Sequence, residues 1–494
     1  MNKILTASEM KYCDDARISS GLPSLVLMER AALAVLKVIR ENGLDTSKTL
    51  ILAGNGNNGA DGVALARLLA EEGEQPVVLL SGGGNFSEQM KQQLAALECY
   101  GVRIAQDDDF SSKTLIVDAL FGIGLSRDIT GRYAEIIEKA NTSPAVKVAV
   151  DIPSGISADD GSICGCALKA DITVTFAAAK RGHFLYPGKD YTGVLYIEPV
   201  GIPIPDIPDT GNVRSLGKDD LKKLPGRPAD SYKGTFGKLL VVAGSRDICG
   251  AAYLSAAAAL KTGAGMVMVY THSRNRTAIL SLLPEALVMT YEDREETMRL
   301  EDALEWADAA VIGPGLSTGN DSVKLLEHFI EYNTHPAILD ADALNILAAE
   351  PRLFDKIHFP AVFTPHIGEM SRLTGKPAAE IKKNLIETAV SYAKDKGIAC
   401  VLKDAATVTA YPDGRAYLNT TGTDALATAG SGDVLSGILG SFLMQYAKNT
   451  DAWAAYAVCF HGLAAAETAR LYSKSGTTAK LIVDTLASFS SVLD

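Results

Sequence analysis

Short runs of β-branched and aliphatic residues alternate with Ala/Leu-rich helical segments along most of the chain, and this alternation is its most constraining feature. In the first half, helices are predicted at 59–72, 88–100 and 133–140. Buried strands are predicted around them, at 49–53, 76–80, 114–118, 147–151 and 172–175. A series of strand, helix and strand builds a parallel sheet with helices on both faces. The predicted fold class is therefore a three-layer α/β structure.

A proline-rich interruption separates this series from a second one. Five prolines fall between residues 201 and 228 with little hydrophobic periodicity, which is typical of a linker. Beyond it, helices are predicted at 251–262, 432–445 and 451–471. Strands are predicted at 238–243, 266–271, 309–313, 337–339, 361–364, 400–402, 407–410 and 416–419. We therefore expect two α/β domains, at residues 1–215 and 225–494, and a chain of 494 residues allows two or three.

The composition excludes several classes of protein. With 47 basic and 59 acidic residues the net charge is −12, which argues against broad binding to nucleic acids or anionic membranes. No run of 18 apolar residues occurs and the N-terminus lacks an apolar signal core, so neither a membrane span nor a secretion signal is expected. The seven scattered cysteines do not form a disulfide framework, which favours a reducing cytoplasm.

A glycine-rich loop follows the first strand and opens a helix, and residues 54–62 read GNGNNGADG. The loop contains G-x-G-x-x-G, but a Rossmann redox domain also needs an acid after the second strand to hold a ribose. Here that strand is followed by Ser81-Gly82-Gly83. The loop still suits a phosphate, and Asn57, Asn58 and Asp61 add side-chain oxygens that a phosphate cradle does not need. The alternative is a simple helix cap with tight-turn glycines.

Two further predicted strands end in a carboxylate. Asp118 begins the run DALFGIGL, and Asp151 begins the run DIPSG. In an open α/β sheet, ligands bind outside the carboxyl ends of the strands, so these loops and the glycine loop are expected to converge. Amide and carboxylate oxygens suit a cation of low charge as well as a polar substrate.

The three runs GNGNNGADG, DALFGIGL and DIPSG together resemble the NAD(P)H-hydrate epimerase family, over about residues 1–215. That family usually has glycine where this chain has Ala60. The resemblance implies a potassium site formed by Asn58, Asp118 and Ser154. It implies that Asp151 contacts the hydrated nicotinamide ring, where it is our candidate acid/base. The hydrate-binding residues implied with Asp151 are Asn57, Asn58, Gly59, Ala60, Asp61, Gly122, Ile123, Gly124, Leu125, Ser126, Arg127 and Asp128.

A second glycine loop, Gly430-Ser431-Gly432-Asp433, leads into an apolar helix. Backbone N–H groups and the helix dipole at such a start favour developing negative charge. Asp433 lies on the first turn, where a carboxylate can take a proton from an attacking hydroxyl. The alternative is an aspartate that stabilises a helix start, worth about 0.5–2 kcal/mol as a cap. The loop resembles the anion hole of ribokinase-like small-molecule kinases, and no P-loop lysine motif occurs.

Six motifs in the second half occur in an order that resembles the ADP- or ATP-dependent NAD(P)H-hydrate dehydratases, over residues 225–494. They are KGTFGK, GAA, IGPGL, LDADALN, TPHIGEM and LKDAAT. That family usually has glycine where this chain has Asp404. The resemblance implies an adenine-nucleotide site formed by Lys403, Asp404, Ala405, Ala406, Thr407 and Gly432. It implies a hydrate site formed by Ala252, Gly315, His366 and Asp433. His461, on an apolar helix, is predicted to be a core histidine, and Cys164 and Cys166 to be structural.

The sequence therefore predicts an N-terminal Rossmann-like domain and a C-terminal ribokinase-like domain in a bifunctional enzyme of nicotinamide-nucleotide repair. The first would interconvert the R and S hydrates of NADH and NADPH with K⁺. The second would dehydrate the S hydrate with Mg²⁺ and ADP, giving AMP and phosphate. A cytoplasmic homo-oligomer that binds small molecules, but neither nucleic acid nor membrane, is expected. The alternative is a ribokinase-like vitamin kinase with a non-catalytic, nucleotide-binding N-terminal module.

Overall fold

The computed structural model describes residues 1–83, 85–205, 212–292 and 298–493. The chain divides into an N-terminal unit, residues 2–212, and a C-terminal unit that starts at residue 213. Residues 206–211 of the predicted linker lie outside the described residues. Residues 213–221 of that linker form a short strand and a short helix of the C-terminal unit.

The N-terminal unit alternates strands and helices as the sequence pattern indicates. Its helices are α1 (Ala7–Ser19), α2 (Ser24–Glu41), α3 (Asn57–Glu71), α4 (Glu88–Leu97), α5 (Arg132–Thr142) and α6 (Lys189–Thr192). Its strands are β1 (Asn2–Leu5), β2 (Thr49–Ala53), β3 (Val77–Leu80), β4 (Arg103–Ala105), β5 (Leu115–Ala119), β6 (Val146–Val150), β7 (Ile172–Phe176), β8 (Ala179–Lys180) and β9 (Val194–Glu198).

A parallel sheet in the order β4-β3-β2-β5-β6-β7-β9 forms the middle layer of this unit. Alternate residues of β2 pack into different cores: Ile51 and Ala53 with α2 and α3, and Leu50 and Leu52 with α5. A strand buried on both faces reads as an unbroken apolar run, which is why TLILA identified it. Strands β1 and β8 pair with each other in parallel.

The C-terminal unit is the longer of the two. Its helices are α7 (Lys218–Leu221), α8 (Gly250–Lys261), α9 (Arg276–Leu282), α10 (Met298–Trp306), α11 (Asn320–Tyr332), α12 (Asp342–Ala349), α13 (Ile367–Thr374), α14 (Ala378–Lys383), α15 (Leu385–Lys396), α16 (Ser431–Tyr446), α17 (Trp453–Tyr472) and α18 (Ala479–Phe489). Its strands are β10 (Val213–Ser215), β11 (Lys238–Val242), β12 (Met266–His272), β13 (Leu287–Tyr291), β14 (Ala309–Ile312), β15 (Ala337–Leu339), β16 (Ala361–Phe363), β17 (Ala399–Leu402), β18 (Val408–Ala410) and β19 (Ala416–Leu418).

The sheet of this unit is mixed. It is parallel in the order β13-β12-β11-β14-β15-β16-β17, and continues through antiparallel β18 and β19 to β10. Helices α8, α16, α17 and α18 pack into one core with the apolar face of the sheet. The start of α16 lies beside the carboxyl ends of β15, β16 and β17.

The predicted three-layer α/β class is confirmed, whereas six strands were missed: β1, β4, β8, β9, β10 and β13. β9 and β13 each lie at the edge of a sheet, and β4 lies at the other edge of the first sheet. Their side chains are largely exposed or half-buried, so their sequences lack the apolar run on which strand prediction depends. Within the described residues, no helix is both long enough and apolar enough to cross a membrane.

Candidate active sites

A cavity of about 910 Å³ opens at the carboxyl ends of β2, β5 and β6. The structure therefore brings together the three loops that were expected to converge. The predicted residues that line this cavity are Asn57, Asn58, Asp61, Gly122, Ile123, Gly124, Leu125, Ser126, Arg127 and Asp151. Gly59, Ala60 and Asp128 are not among its lining residues. Lys180 and Asp14, which the sequence did not suggest, also line it.

The glycine loop is packed backbone against backbone. A Cβ added to Gly54 would lie 1.9 Å from the Leu120 carbonyl oxygen, and one on Gly59 would lie 2.0 Å from that of Gly54. Helix α3 begins at Asn57, two residues earlier than predicted, so Asn57 lies on its first turn. Ala60 is fully buried in the helix. The departure from the usual glycine at that position therefore leaves the cavity wall unchanged.

Asp151 follows β6 directly and forms a buried ion pair with Lys180. Its Oδ1 lies 2.5 Å from Lys180 Nζ and accepts a second hydrogen bond, of 2.9 Å, from the Thr175 hydroxyl. Lys180 comes from the two-residue strand β8 and is only 1% exposed. Burial alone would raise the pKa of Asp151, but the Lys180 ammonium outweighs it, and the pKa lies below its ordinary value. Asp151 is therefore an anion at neutral pH.

The His183 ring forms hydrogen bonds with the backbones of both Asp151 and Lys180. The Lys180 N–H donates to its Nδ1 at 3.0 Å, so the ring proton is on Nε2, which lies 3.0 Å from the Asp151 carbonyl oxygen. Burial and the neighbouring Lys180 lower the pKa of His183 to about 3. The ring is therefore neutral, and it supports Asp151 in a left-handed backbone conformation with a φ of 67°.

Two further carboxyl groups face the same cavity. Burial raises the pKa of Asp14 to about 6, with Lys180 opposing the shift and Asp151 adding to it. Burial raises the pKa of Asp61 well above its ordinary value, and Asp151 and Asp14 add to the effect. Burial therefore favours the protonated form of Asp61 in the cavity that also contains the ionised Asp151. Paired groups with pKa values pushed apart can supply both a proton donor and a proton acceptor.

The residues of the expected potassium site also lie close together. Ser154 donates to Asp118 through its hydroxyl at 2.6 Å and its N–H at 2.8 Å. Burial raises the pKa of Asp118 to about 6, so a nearby cation would stabilise its charged form. Asn58 Nδ2 is buried and has no partner among the described residues, and Asn58 packs against Gly122. The carboxylate oxygens of Asp118, the hydroxyl of Ser154 and the amide oxygen of Asn58 are ligand types that fit a K⁺ ion, whereas the unpaired Asn58 Nδ2 is a donor and suits an acceptor on a ligand instead.

In the C-terminal unit, a buried network joins the end of β17 to the start of α16. Lys403 Nζ lies 2.6 Å from Asp340 Oδ1, and the Ser436 hydroxyl donates to Asp340 Oδ2 at 2.5 Å. A Cβ on Gly432 would lie 3.5 Å from Lys403 Nζ. Burial lowers the pKa of Lys403, but Asp340 outweighs this effect and the pKa is raised. A permanent cation therefore lies at the start of α16, and sequence analysis had assigned no role to Asp340 or Ser436.

Asp433 lies on the first turn of α16 and interacts with the same cation. Burial and then Asp340 raise the pKa of Asp433 to about 7, against the effect of Lys403. Burial also raises the pKa of Glu369 to about 7. His366 caps α13 by accepting at Nδ1 from the Gly368 N–H at 2.9 Å, and burial lowers its pKa. His366, Lys403, Gly432 and Asp433 are thus brought together as expected.

The other predicted residues of this unit are Ala252, Gly315 and residues 404–407. Ala252 is fully buried in α8, so its side chain does not reach a surface. Helix α8 nevertheless contacts the start of α16, because the Ser255 hydroxyl donates to the Asp433 carbonyl oxygen at 2.9 Å. The loop of Asp404, Ala405, Ala406 and Thr407 is joined to the end of β19, because the N–H of Asn419, which directly follows that strand, donates to the Thr407 carbonyl oxygen at 2.8 Å. Gly315 packs on Ala251 and Ile248.

The described residues of the C-terminal unit offer few side chains that could bind a metal ion. Among the described residues, no group of three or more His, Cys, Asp or Glu side chains could hold a metal ion. Mg²⁺ usually takes one or two carboxylates and completes its shell with water and substrate phosphates. Glu369, whose pKa is raised by burial against the effect of Lys403, would supply that single carboxylate. His461 is buried as predicted, and its Nε2 has no partner in the described part of the chain.

The fold and the two sites define a two-domain α/β enzyme, in which two separate carboxylate centres lie beside glycine loops that suit phosphate groups. Comparison with known proteins agrees with this class. A family profile described as NAD(P)H-hydrate dehydratase matches residues 239–488, and a profile described as YjeF-related protein N-terminus matches residues 24–182. The chain belongs to the family of bifunctional NAD(P)H-hydrate repair enzymes.

Individual relatives support this family assignment over nearly the whole chain. The bifunctional NAD(P)H-hydrate repair enzyme Nnr of Moorella thermoacetica is 36% identical, over 98% of this chain and 96% of the relative. The Escherichia coli protein of the same name is 36% identical, over 96% and 92%.

Solved structures resemble the C-terminal unit. An ADP/ATP-dependent NAD(P)H-hydrate dehydratase from Bacillus subtilis, co-crystallised with ATP and Mg²⁺, is 31% identical over 57% of this chain and 99% of that chain, with a TM-score of 0.50. A ribokinase-like superfamily protein from Enterococcus faecalis is 29% identical over 58% and 98%, with a TM-score of 0.52. The predicted ribokinase-like fold is confirmed, and the vitamin-kinase alternative is not favoured.

Proposed function

We propose that the N-terminal unit, predicted as residues 1–215, interconverts the R and S hydrates of NADH and NADPH. The C-terminal unit, predicted as residues 225–494, dehydrates the S hydrate with ADP. The observation that carries this proposal is the pair of separate carboxylate centres, Asp151 with Lys180 and Asp433 with Lys403. Asp151 and Lys180 lie within residues 24–182, which match the profile of the YjeF-related N-terminus. Asp433 and Lys403 lie within residues 239–488, which match the NAD(P)H-hydrate dehydratase profile.

In the epimerase site, Asp151 is the proposed acceptor of a proton from the hydrated ring. Lys180 and Thr175 occupy its Oδ1 and fix its orientation, which leaves Oδ2 for the substrate. Asp61, whose protonated form is favoured by burial, is the proposed group that returns a proton from the same cavity. A positioned acid or base typically contributes about 10²–10⁴-fold in rate. A K⁺ ion held by Asn58, Asp118 and Ser154 would neutralise charge near the glycine loop.

In the dehydratase site, Asp433 is the proposed base for the hydroxyl of the S hydrate. The hydroxyl oxygen forms a bond to the β-phosphorus of ADP as the bond to AMP breaks, and Asp433 takes the proton. Loss of phosphate and of a proton from the adjacent ring carbon then restores the double bond. Lys403 and the N–H groups at the start of α16 face the negative charge that develops. Glu369 would hold the Mg²⁺, which neutralises phosphate charge.

The remaining proposals concern ligand contacts, cellular location and assembly. Hydrate contacts are proposed for Gly315 and His366 and for the backbone of Ala252, whose side chain is buried on the first turn of α8. Adenine-nucleotide contacts are proposed for the loop 403–407 and Gly432. We propose a cytoplasmic location because the cysteines are free, and some are deeply buried as thiols. Homo-oligomerisation stays a prediction.

A coupled assay tests both activities together. The full chain is incubated with mixed R and S hydrates, ADP and Mg²⁺, and the absorbance of the dihydronicotinamide is followed. Full recovery of absorbance is expected because epimerisation feeds the R fraction to the dehydratase. Recovery limited to the S fraction would contradict the epimerase activity, and release of a stable phosphorylated product would contradict the dehydratase activity.

Asn58→Ala is expected to weaken K⁺-dependent epimerisation while dehydration of pure S hydrate stays intact. The variant removes the amide oxygen that is proposed as a K⁺ ligand together with Asp118 and Ser154, which are hydrogen bonded to each other. The half-saturating K⁺ concentration for epimerisation is the quantity to measure, with dehydration as the control on the same preparation. Mutations at distant sites without shared partners should not couple. Equal loss of both activities would therefore argue against independent sites.

Dehydration is expected to decline on the acid side of pH 7 while epimerisation persists. Asp433 must be ionised to accept a proton, and burial and Asp340 place its pKa at about 7, so lowering the pH removes the base. The pKa of Asp151 is shifted below its ordinary value, so this carboxylate stays ionised over the same range. The profile of kcat/KM against pH for the S hydrate reports the free-enzyme pKa. A flat profile through pH 7 would remove Asp433 from the role of base.

A further inference from the structure

A second cavity lies beside the glycine loop of the N-terminal unit. Its volume is about 510 Å³, and its lining residues are Asn55, Gly56, Asn85, Phe86, Ser87 and Lys91. Asn55 and Gly56 also line the larger cavity that contains Asp151. The two spaces therefore share one wall, and a ligand that passes over the loop can occupy both.

Two buried polar atoms in this part of the fold lack partners among the described residues, and the first belongs to a residue that lines the second cavity. They are Asn55 Oδ1 and Ser81 Oγ, and Ser81 is only 5% exposed. The following residue, Gly82, is packed against the amide, because a Cβ there would lie 2.1 Å from Asn55 Oδ1. Buried polar groups are normally hydrogen bonded, so the unpaired acceptor Asn55 Oδ1, on a residue that lines the cavity, indicates a ligand that donates from a hydroxyl group.

The position of this cavity in the sheet indicates which part of a dinucleotide it suits. Ser81 follows β3, the strand next to β2 on the side away from β5. In doubly wound folds the end of that strand receives the adenosine ribose, and a carboxylate there binds the 2′-hydroxyl of NAD. No carboxylate is among the residues that line this cavity, and Lys91 supplies a cation. Lys91 makes only an exposed contact of 3.6 Å with Glu88.

We propose that this cavity binds the adenosine ribose of the hydrated dinucleotide and that Lys91 favours its 2′-phosphorylated form. The inference rests on the proposed epimerase function, because the nicotinamide end of the same molecule lies at Asp151. The pyrophosphate then crosses Asn55 and Gly56 at the start of α3, where free N–H groups and the helix dipole favour an anion. A 2′-phosphate meets a lysine instead of a carboxylate, so the hydrate of NADPH is the preferred substrate of this unit.

Lys91→Ala tests the preference directly. The R-to-S conversion is measured by chromatography with the full chain and without ADP, so that dehydration does not consume the product. The KM for the NADPH hydrate is expected to rise about tenfold, the size typical of losing one contact to a charged group, while that for the NADH hydrate is unchanged. Lys91→Glu is expected to raise it further. The matched control is Lys139→Ala, because Lys139 is similarly exposed and pairs with Asp107 at 3.2 Å outside both cavities.

Inhibition by nucleotide fragments gives a second, independent measurement. Adenosine 2′,5′-bisphosphate is expected to inhibit epimerisation by the unaltered chain more strongly than AMP, and Lys91→Ala is expected to remove the difference. Equal inhibition by the two fragments, or equal KM changes for both hydrates in Lys91→Ala, would overturn the inference while epimerisation itself persists. Failure of the unaltered chain to convert either hydrate would instead overturn the proposed function.

Discussion

Asp433→Asn is expected to abolish dehydration and leave epimerisation unchanged. Asparagine cannot accept the proton of the attacking hydroxyl, and loss of a positioned base typically costs about 10²–10⁴-fold in rate. The fold should tolerate the change, because asparagine keeps the size of aspartate and the N-cap of α16 is Gly430 rather than Asp433. The pKa of Asp433 in the folded protein is raised to about 7. Above that pH the ionised carboxylate therefore lowers the free energy of unfolding. Removal of that charge therefore should not destabilise the protein above pH 7.

The decisive measurement for this variant is single-turnover conversion of the S hydrate at saturating ADP. A thermal-shift titration with ADP checks that nucleotide binding survives. Asp321→Asn is the matched control, because Asp321 also lies on the first turn of a helix, α11, and is exposed. Turnover by Asp433→Asn at the rate of the unaltered chain would leave Asp433 a helix-start residue without a catalytic role.

Asp151→Asn is expected to eliminate epimerisation and to destabilise the protein. The variant removes the anion that the ring chemistry needs, at a cost of about 10²–10⁴-fold in rate. It also leaves the Lys180 ammonium, 1% exposed, without its charged partner. Removal of one member of a buried ion pair typically costs about 3–5 kcal/mol in the free energy of unfolding. Both losses are expected in the same variant, and dehydration of S hydrate should persist at temperatures where the protein stays folded.

A double-mutant cycle separates the catalytic loss from the structural loss. Asp151→Asn combined with Lys180→Met removes both charges, so much of the lost stability is expected to return. Epimerisation is not expected to return, because neither group of the pair remains. Thermal unfolding and R-to-S conversion without ADP are the two measurements. Activity in the double variant would show that another group, such as Asp61, carries the proton transfer.

The sequence was sufficient where the structure is set by local pattern. β2 spans residues 49–53 as predicted, because a fully buried strand is apolar at every position. The three loops of the first cavity were located by their motifs, since glycines and carboxylates at strand ends are visible without any knowledge of pairing. The start of α16 was located in the same way, and Asp433 lies on its first turn as expected.

The partners of these residues could not be predicted, because sheet order brings them together from distant parts of the chain. Lys180 and His183 reach Asp151 from 29 and 32 residues away, through a strand of only two residues. Asp340 and Ser436 are 96 residues apart and meet because β15 ends beside the start of α16. The run AKRGH after β7 was the available signal, since it places basic side chains at a strand end.

The backbone packing of the glycine loop also determines how the substrate range of this enzyme can be redesigned. Any side chain at Gly54 or Gly59 would displace main-chain atoms, so a randomised library that varied them would lose most of its folded members. Gly56 differs, because a Cβ there meets no atom within 4 Å and its φ of −91° suits any residue. It lines both cavities of the N-terminal unit. New side chains at this single position can therefore alter the path between the cavities without rebuilding the loop.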